Sequence, residues 1–234
     1  NYSEDSQEAD KYLLEKFYKD QGFPDAKVIA SLGGLKDSGE TAFLTYSIYE
    51  GPLFNLGNVS SGKTISMIGA YYAETITRSS FKPDALFGPA YKGIPLVVTA
   101  AISLSDKHEI NLPYAFNRKE EKDHGERGQI IGKKISGDVL IIDDVISAGT
   151  SIREAYKICK SIGANPVGAV VSIDRQEIGT QKKSSIHEIE QELGLEVLSI
   201  ITLKDIIQYL EKDDSLCEHL PRMLKYESRY GVKQ

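Results

Sequence analysis

The sequence predicts an α/β protein, with a central parallel sheet flanked by helices and a small N-terminal hood. Three observations carry that expectation. Val139-Leu-Ile-Ile142 is an unbroken apolar run with no polar alternation, the mark of a strand covered on both faces. From about residue 85 onward, short apolar runs alternate with helical patterns, the order of repeated β-α-β units. Residues 1–56 lack that alternation, so the hood is assigned to 1–56 and the α/β core to 57–234.

Each element has its own local reason. Tyr12, Leu13, Phe17 and Tyr18 give the first 20 residues the apolar spacing of a surface helix. Gly33-Gly34, Ser38-Gly39 and Gly51-Pro52 then break the pattern, with a β segment at Phe43–Ile48. Ser60 or Ser61 caps a long helix to about Thr77 that buries Ile65, Ile68, Tyr72 and Ile76. Strand Ala85–Phe87, loop Gly88–Gly93 and a helix to about Leu104 follow, then strand Tyr114–Phe116 and a polar segment from Asn117 to Gly128. The expected remainder is strand 139–143, helix 150–162, strand Val167–Ile173, helix 184–193 and strand Val197–Ile201. A last helix begins at Leu203, with Thr202 and Asp205 spaced as a capping box.

Composition narrows the function classes. The chain has 234 residues and a formal net charge of −6. Its pI near 5.4 argues against a nucleic-acid or membrane-surface binder. There is no recognisable helix-turn-helix or basic face. Cys159 and Cys217 are far apart and read as reduced thiols of a cytoplasmic protein. His108, His124, His187 and His219 lack the spacing of a structural zinc site. No apolar run is long enough to span a membrane, and no signal-peptide core is present. The chain opens at Asn1 rather than methionine, and the native start is expected upstream.

The most informative stretch is VLIIDDVISAGTS, Val139 to Ser151. It delivers Asp143 and Asp144 to the carboxyl end of a buried strand, where ligands of parallel sheets bind. Adjacent carboxylates suit ribose hydroxyls or Mg²⁺, and the small-residue loop before a helix suits a phosphate. The plainer alternative is a strand end with solvated acids and an ordinary N-cap. In the loop Gly88-Pro-Ala-Tyr-Lys-Gly93, Lys92 offers a point charge to phosphate and Tyr91 a surface for a sugar or base. The segment RKEEKDHGERG carries Arg118, Lys119, Lys122, His124 and Arg127, enough positive charge to cover a pyrophosphate. Lacking an apolar anchor, it has the character of a loop that closes over a reacting centre. At the next strand end, Arg175 suits bidentate binding of a substrate carboxylate, or else a surface salt bridge.

A rival reading comes from Gly57-Asn-Val-Ser-Ser-Gly-Lys-Thr64, which satisfies G-x-x-x-x-G-K-[ST]. A P-loop must leave a buried strand directly, and Gly51 and Pro52 do not suit one.

VLIIDDVISAGTS resembles the phosphoribosyl-pyrophosphate motif of type I phosphoribosyltransferases. Together LFGPAYKGIP, FNRKEEKDHGERG, IDDVISAGTSIRE, SIDRQE and SIITLKDIIQYLE resemble orotate phosphoribosyltransferase of the bacterial and fungal kind, from about Phe54 to Val232. The resemblance implies the type I phosphoribosyltransferase fold. It also implies transfer of phosphoribosyl from phosphoribosyl pyrophosphate to orotate, with Mg²⁺ as cofactor. It implies that Asp143 and Asp144 hold the ribose hydroxyls and associated Mg²⁺, largely through substrate and water. Val145, Ile146, Ser147, Ala148, Gly149, Thr150 and Ser151 then embrace the sugar phosphate, with Ser147 retaining a hydroxyl toward orotate where the family usually has threonine. Tyr91 and Lys92 meet the pyrophosphate side, and Arg118, Lys119, Lys122 and His124 neutralise pyrophosphate as it departs. Arg175 binds the orotate carboxylate.

The implied assembly is a homodimer whose mobile loop closes over the neighbour's site. Arg118 and Lys119, consecutive at a strand end, point to opposite sides and suit two different sites. The chain departs from the family's L-K-S-G-R-x-S-P-Y-F-F segment: without gaps, Thr45 falls at the lysine position and Leu53-Phe54 replaces the aromatic pair, Phe54 being expected to line the base pocket. Two other classes stay in view: a non-catalytic phosphoribosyl-pyrophosphate sensor and a P-loop nucleotide hydrolase.

Overall fold

The computed structural model describes residues 27–32, 44–49, 59, 61–118, 130–146, 149–179, 183–212 and 216–232, the first two stretches by backbone alone. The expected first helix, Leu53, Phe54, Lys119, Lys122, His124, Arg127, Ser147 and Ala148 lie outside the described residues. The chain divides between Asn55 and Leu56 into two compact units.

The first unit contains an antiparallel pair, β1 (Lys27–Leu32) and β2 (Leu44–Tyr49), in register from Lys27↔Tyr49 to Leu32↔Leu44. The expected Phe43–Ile48 segment falls on β2. Its partner KVIASL carries no strand signal in the sequence, because its polar residues, Lys27 and Ser31, bracket three apolar residues instead of alternating with them.

The second unit carries a six-stranded sheet. Its strands are β3 (Ala85–Gly88), β4 (Tyr114–Asn117), β5 (Ile130–Gly132), β6 (Gly137–Ile146), β7 (Ala164–Asp174) and β8 (Glu196–Thr202). They lie in the order β5-β4-β3-β6-β7-β8. Five are parallel, as expected. The exception is β5, which pairs antiparallel with β4 from Asn117↔Ile130 to Ala115↔Gly132. Only three residues long, it leaves too short a pattern to recognise in sequence.

The helices of this unit are α1 (Gly62–Arg78), α2 (Gly93–His108), α3 (Thr150–Ser161), α4 (Ser185–Leu193) and α5 (Leu203–Lys212), which pack on the strands, and α6 (Leu220–Tyr230), which packs against α5. The Ser61 side chain caps α1 by accepting from the Thr64 amide at 3.1 Å. In α1, Tyr72, Ala73 and Ile76 are buried, whereas Ile65 and Ile68 are only half-buried. Helix α2 runs one turn past its expected end, through polar residues, and stops where Glu109 turns left-handed at φ 57°. The capping box at α5 is present: Asp205 Oδ2 accepts from the Thr202 amide at 2.8 Å, and Thr202 Oγ1 accepts from the Asp205 amide at 3.1 Å. Helix α6, not anticipated, buries Met223 and Tyr226.

The apolar run of β6 is explained by its place between β3 and β7. Val139 and Ile141 join a cluster with Ile152, Ala155 and Cys159 of α3 and Ile189 of α4. Leu140 and Ile142, also fully buried, point to the opposite face. Because β3 has its successor β4 on one side and β6 on the other, the connections diverge at the β3/β6 boundary. That divergence is a topological switch point, the usual ligand crevice of an open parallel sheet.

Candidate active site

The loop that follows β3 and carries Tyr91 and Lys92 reaches the end of β6 at that crevice, and α3 starts shortly after β6. The β3 loop is tight enough to require glycine: a Cβ on Gly88 would strike the Gly93 carbonyl oxygen and come within 2.7 Å of Val97 Cγ1. Asn117, at the end of β4, braces the loop by accepting from the Ala90 amide at 2.8 Å. Tyr91 is 60% exposed, and the Lys92 ammonium lies 3.1 Å from Asp144 Oδ2.

The acids are not solvated. Asp143 is 4% and Asp144 7% exposed, which excludes the plainer reading of this strand end. Asp143 Oδ1 accepts from the Asp144 amide at 2.9 Å, and Asp144 Oδ1 accepts from the Val145 amide at 2.8 Å. Burial, then the neighbouring Asp144 charge, pushes the Asp143 carboxyl up to about 6, partly offset by a hydrogen bond from Ser151. Asp144 Oδ2 is buried without a hydrogen-bond donor, so its approach to Lys92 is charge pairing rather than an aligned hydrogen bond. Asp143 is thus tied to the start of α3, and Asp144 to the β3 loop.

The N-cap of α3 is Gly149, whose φ of 72° is left-handed and whose Cβ, if present, would strike Ile189. No side chain caps this end and no acid sits in its first turn. The amides of Thr150 and Ser151 and the positive end of the dipole therefore face the loop, an arrangement suited to phosphate.

The strand register sets Asp174 beside Ile146, so Arg175 follows at the level where the β6 loop begins. Its Nε is 3.2 Å from Glu177 Oε1. Arg118 directly follows β4 and is half-buried.

One partner of the site escaped the sequence reading. Tyr72 of α1 was expected only as core, yet its hydroxyl donates to the Asp143 carbonyl at 2.5 Å and lies 2.6 Å from Ser172 Oγ. It thereby touches both β6 and β7 at the step between Asp143↔Val171 and Val145↔Ile173. The only sequence signal was a hydroxyl on an otherwise apolar helix face.

The P-loop pattern is not supported. β2, the strand preceding it, belongs to the two-stranded sheet, and Lys63 is exposed in the first turn of α1. Among the described residues, no helix is long and apolar enough to cross a membrane.

The chain is similar to known proteins in sequence and in fold. Residues 55–196 match the phosphoribosyl transferase domain model. Over 179 residues, the chain is 48% identical to an orotate phosphoribosyltransferase of Salmonella arizonae, a match covering 76% of this chain and 84% of that protein. An Escherichia coli O139:H28 orotate phosphoribosyltransferase is 46% identical over the same shares. The structure is similar to that of the Francisella tularensis orotate phosphoribosyltransferase, with a TM-score of 0.65, 32% identity, and coverage of 94% of this chain and 99% of that one. The Aeropyrum pernix orotate phosphoribosyltransferase matches with a TM-score of 0.53 at 26% identity, over 86% of this chain and 99% of that one.

Proposed function

The chain belongs to the orotate phosphoribosyltransferases, and from that premise we propose how its residues divide the work of transferring phosphoribosyl from phosphoribosyl pyrophosphate to orotate. The bond from the anomeric carbon to pyrophosphate oxygen breaks, a bond to an orotate ring nitrogen forms, and orotidine 5-monophosphate and pyrophosphate are the products. The observation that carries the assignment is the Lys92–Asp144 pair, which joins the β3 loop and the acidic strand end across the switch point.

Asp143 and Asp144 receive the ribose hydroxyls, and Gly149, Thr150 and Ser151, with Ser147 and Ala148, surround the 5-phosphate at the start of α3. Lys92 and Tyr91 face the pyrophosphate, and Arg175 takes the orotate carboxylate. Orotate binds with negative charge on its ring, so no strong general base is needed. The anomeric carbon gains oxocarbenium character, with inversion, as pyrophosphate leaves. Catalysis is then orientation plus charge neutralisation by Arg118, Lys119, Lys122 and His124.

The site's donor set fits Mg²⁺. Two adjacent buried carboxylates are present, and one of their oxygens, Asp144 Oδ2, has no hydrogen-bond donor and is balanced only by the charge of Lys92. That set suits a hard dication completed by substrate oxygens and water, with Asp143 and Asp144 as the protein's share. When bound, the ion supplies divalent charge to the pyrophosphate. The functional unit is a homodimer working in the cytoplasm, with the 118–128 loop closing over the neighbour's site.

One assay separates the classes: pyrophosphate and phosphate release with orotate, adenine, hypoxanthine or ATP, with and without Mg²⁺. The expected result is pyrophosphate release that depends on orotate and on the metal. A sensor would bind phosphoribosyl pyrophosphate without turnover, and a P-loop enzyme would hydrolyse ATP through Lys63. Lys122→Ala should lower kcat by about 10²–10³, the usual effect of losing a group aimed at developing charge, with little change in stability. Equal turnover at saturating substrate would defeat the Lys122 assignment.

A further inference from the structure

Arg175 is not a loose surface cation. Its side chain is 12% exposed and that of Glu177 17%, with Nε of one 3.2 Å from Oε1 of the other, a buried ion pair held by charge rather than by an aligned hydrogen bond. The same Glu177 oxygen accepts a hydrogen bond from the hydroxyl of Tyr226 on α6. Burial above all raises the Tyr226 phenol well beyond its ordinary value, so it stays protonated and donates. The backbone fixes this arrangement from both sides. The Ile178 amide donates to the Tyr230 carbonyl at 2.8 Å, the Val232 amide donates to the Gln176 carbonyl at 2.9 Å, and Glu177 bridges Gly231. Gln176 Oε1 also accepts from the Lys204 amide in the first turn of α5, at 2.9 Å. The end of the chain is thereby stitched to the residues around Arg175.

We propose that Glu177 and Tyr226 are positioning residues for recognition of the acceptor base, fixing Arg175 by its Nε side and leaving its terminal nitrogens to the base carboxylate. The inference rests on the reading that Arg175 binds that carboxylate. A guanidinium has five donors on two separable edges, so one edge can meet a protein acid while the other grips a ligand. Glu177 supplies the counter-charge that a buried guanidinium needs while the site is empty. The Tyr226 hydroxyl holds Glu177 in place without adding charge. Helix α6, remote in sequence from every motif that carries the chemistry, then belongs to the base-selecting side of the site.

The test is the KM for orotate and the KM for phosphoribosyl pyrophosphate, with thermal midpoints, in Arg175→Ala, Glu177→Gln and Tyr226→Phe. Glu177→Gln should raise the orotate KM about tenfold or more, the scale of a misplaced charged hydrogen bond, and leave the other KM within about twofold. Tyr226→Phe, which removes one hydroxyl, should move the orotate KM the same way by about threefold. It also decides the matter should Glu177→Gln not fold. An unchanged or lower orotate KM in both variants overturns the proposal, since Glu177 would then be a bystander or a competitor of the substrate. An equal rise in both KM values also overturns it, because a merely structural role predicts that result. If Arg175→Ala alone raises the orotate KM, only the positioning role fails. If Arg175→Ala leaves it unchanged, the base-binding reading fails and the positioning role with it.

Discussion

Asp143 shows how a functional side chain is kept at a cost to the fold. Its carboxyl titrates near 3.8 in an unfolded chain and near 6 in the folded one, because burial and Asp144 disfavour its charge. Below the first value both states hold the proton and folding is unaffected. Between the two, the folded state keeps a proton that the unfolded chain has lost, so stability falls as pH rises. Above about 6 the penalty is constant, on the order of 3 kcal/mol. Asparagine keeps one oxygen to accept from the Asp144 amide, and its NH2 group can donate to the Ser151 hydroxyl, without titrating. Asp143→Asn in the metal- and substrate-free protein should therefore be more stable than the parent at neutral pH. The gain should vanish in acid below the unfolded value, and activity should be lost. Denaturant melts at the two pH values check this, and equal stability at neutral pH would contradict the burial argument. Tyr72→Phe should do the opposite. It withdraws the donor to the Asp143 carbonyl and the partner of Ser172 Oγ, lowering stability by about 1–2 kcal/mol at any pH below the phenol's titration.

Among the elements, the β6–loop–α3 unit was the one most open to sequence reading, for a local reason. A strand buried on both faces writes itself as an apolar run, and the loop that follows is contiguous with it. The capping box of α5 could be read likewise, because its two partners are three residues apart. Asp205→Ala should cost about 1 kcal/mol there, measurable in a urea melt. What stayed hidden are contacts made across the sheet. Tyr72 meets Asp143 over a separation of 71 residues and Tyr226 meets Glu177 over 49, and neither leaves a periodic trace. Length set the other limit, since β5 is too short to show a pattern. Gly149 is where element and site depend on the same residue. Gly149→Ala must hold φ near 72° and push against Ile189, so a loss of about 2–4 kcal/mol is expected. The KM for phosphoribosyl pyrophosphate should rise with it, since the first turn of α3 is the proposed seat of the 5-phosphate. A variant that melts earlier but binds the sugar phosphate normally would show that the loop does not depend on this start.

At the scale of the whole molecule, sheet order does what no single motif could. Placing β6 between β3 and β7 sets the ends of three strands side by side, and Lys92, Asp143, Asp144 and Arg175 stand at or just beyond those ends. The 118–128 loop leaves from β4, on the far side of β3 from the acids, and rejoins the sheet as its edge strand β5. In the proposed dimer, the 118–128 loop is assigned to the neighbour's acids rather than to its own. Subunit mixing tests this directly. Lys122→Ala disables only loops and Asp144→Asn only strand ends, so each homodimer should be nearly inactive. If a loop serves its neighbour, a mixed dimer collects both defects in one site and leaves the other intact. Random mixing makes about half the dimers hybrids, each with one working site of two, so about a quarter of the parent activity should return. The gain should appear only under conditions that let subunits exchange. If each loop served its own site, every site in the mixture would carry one defect and no activity would return.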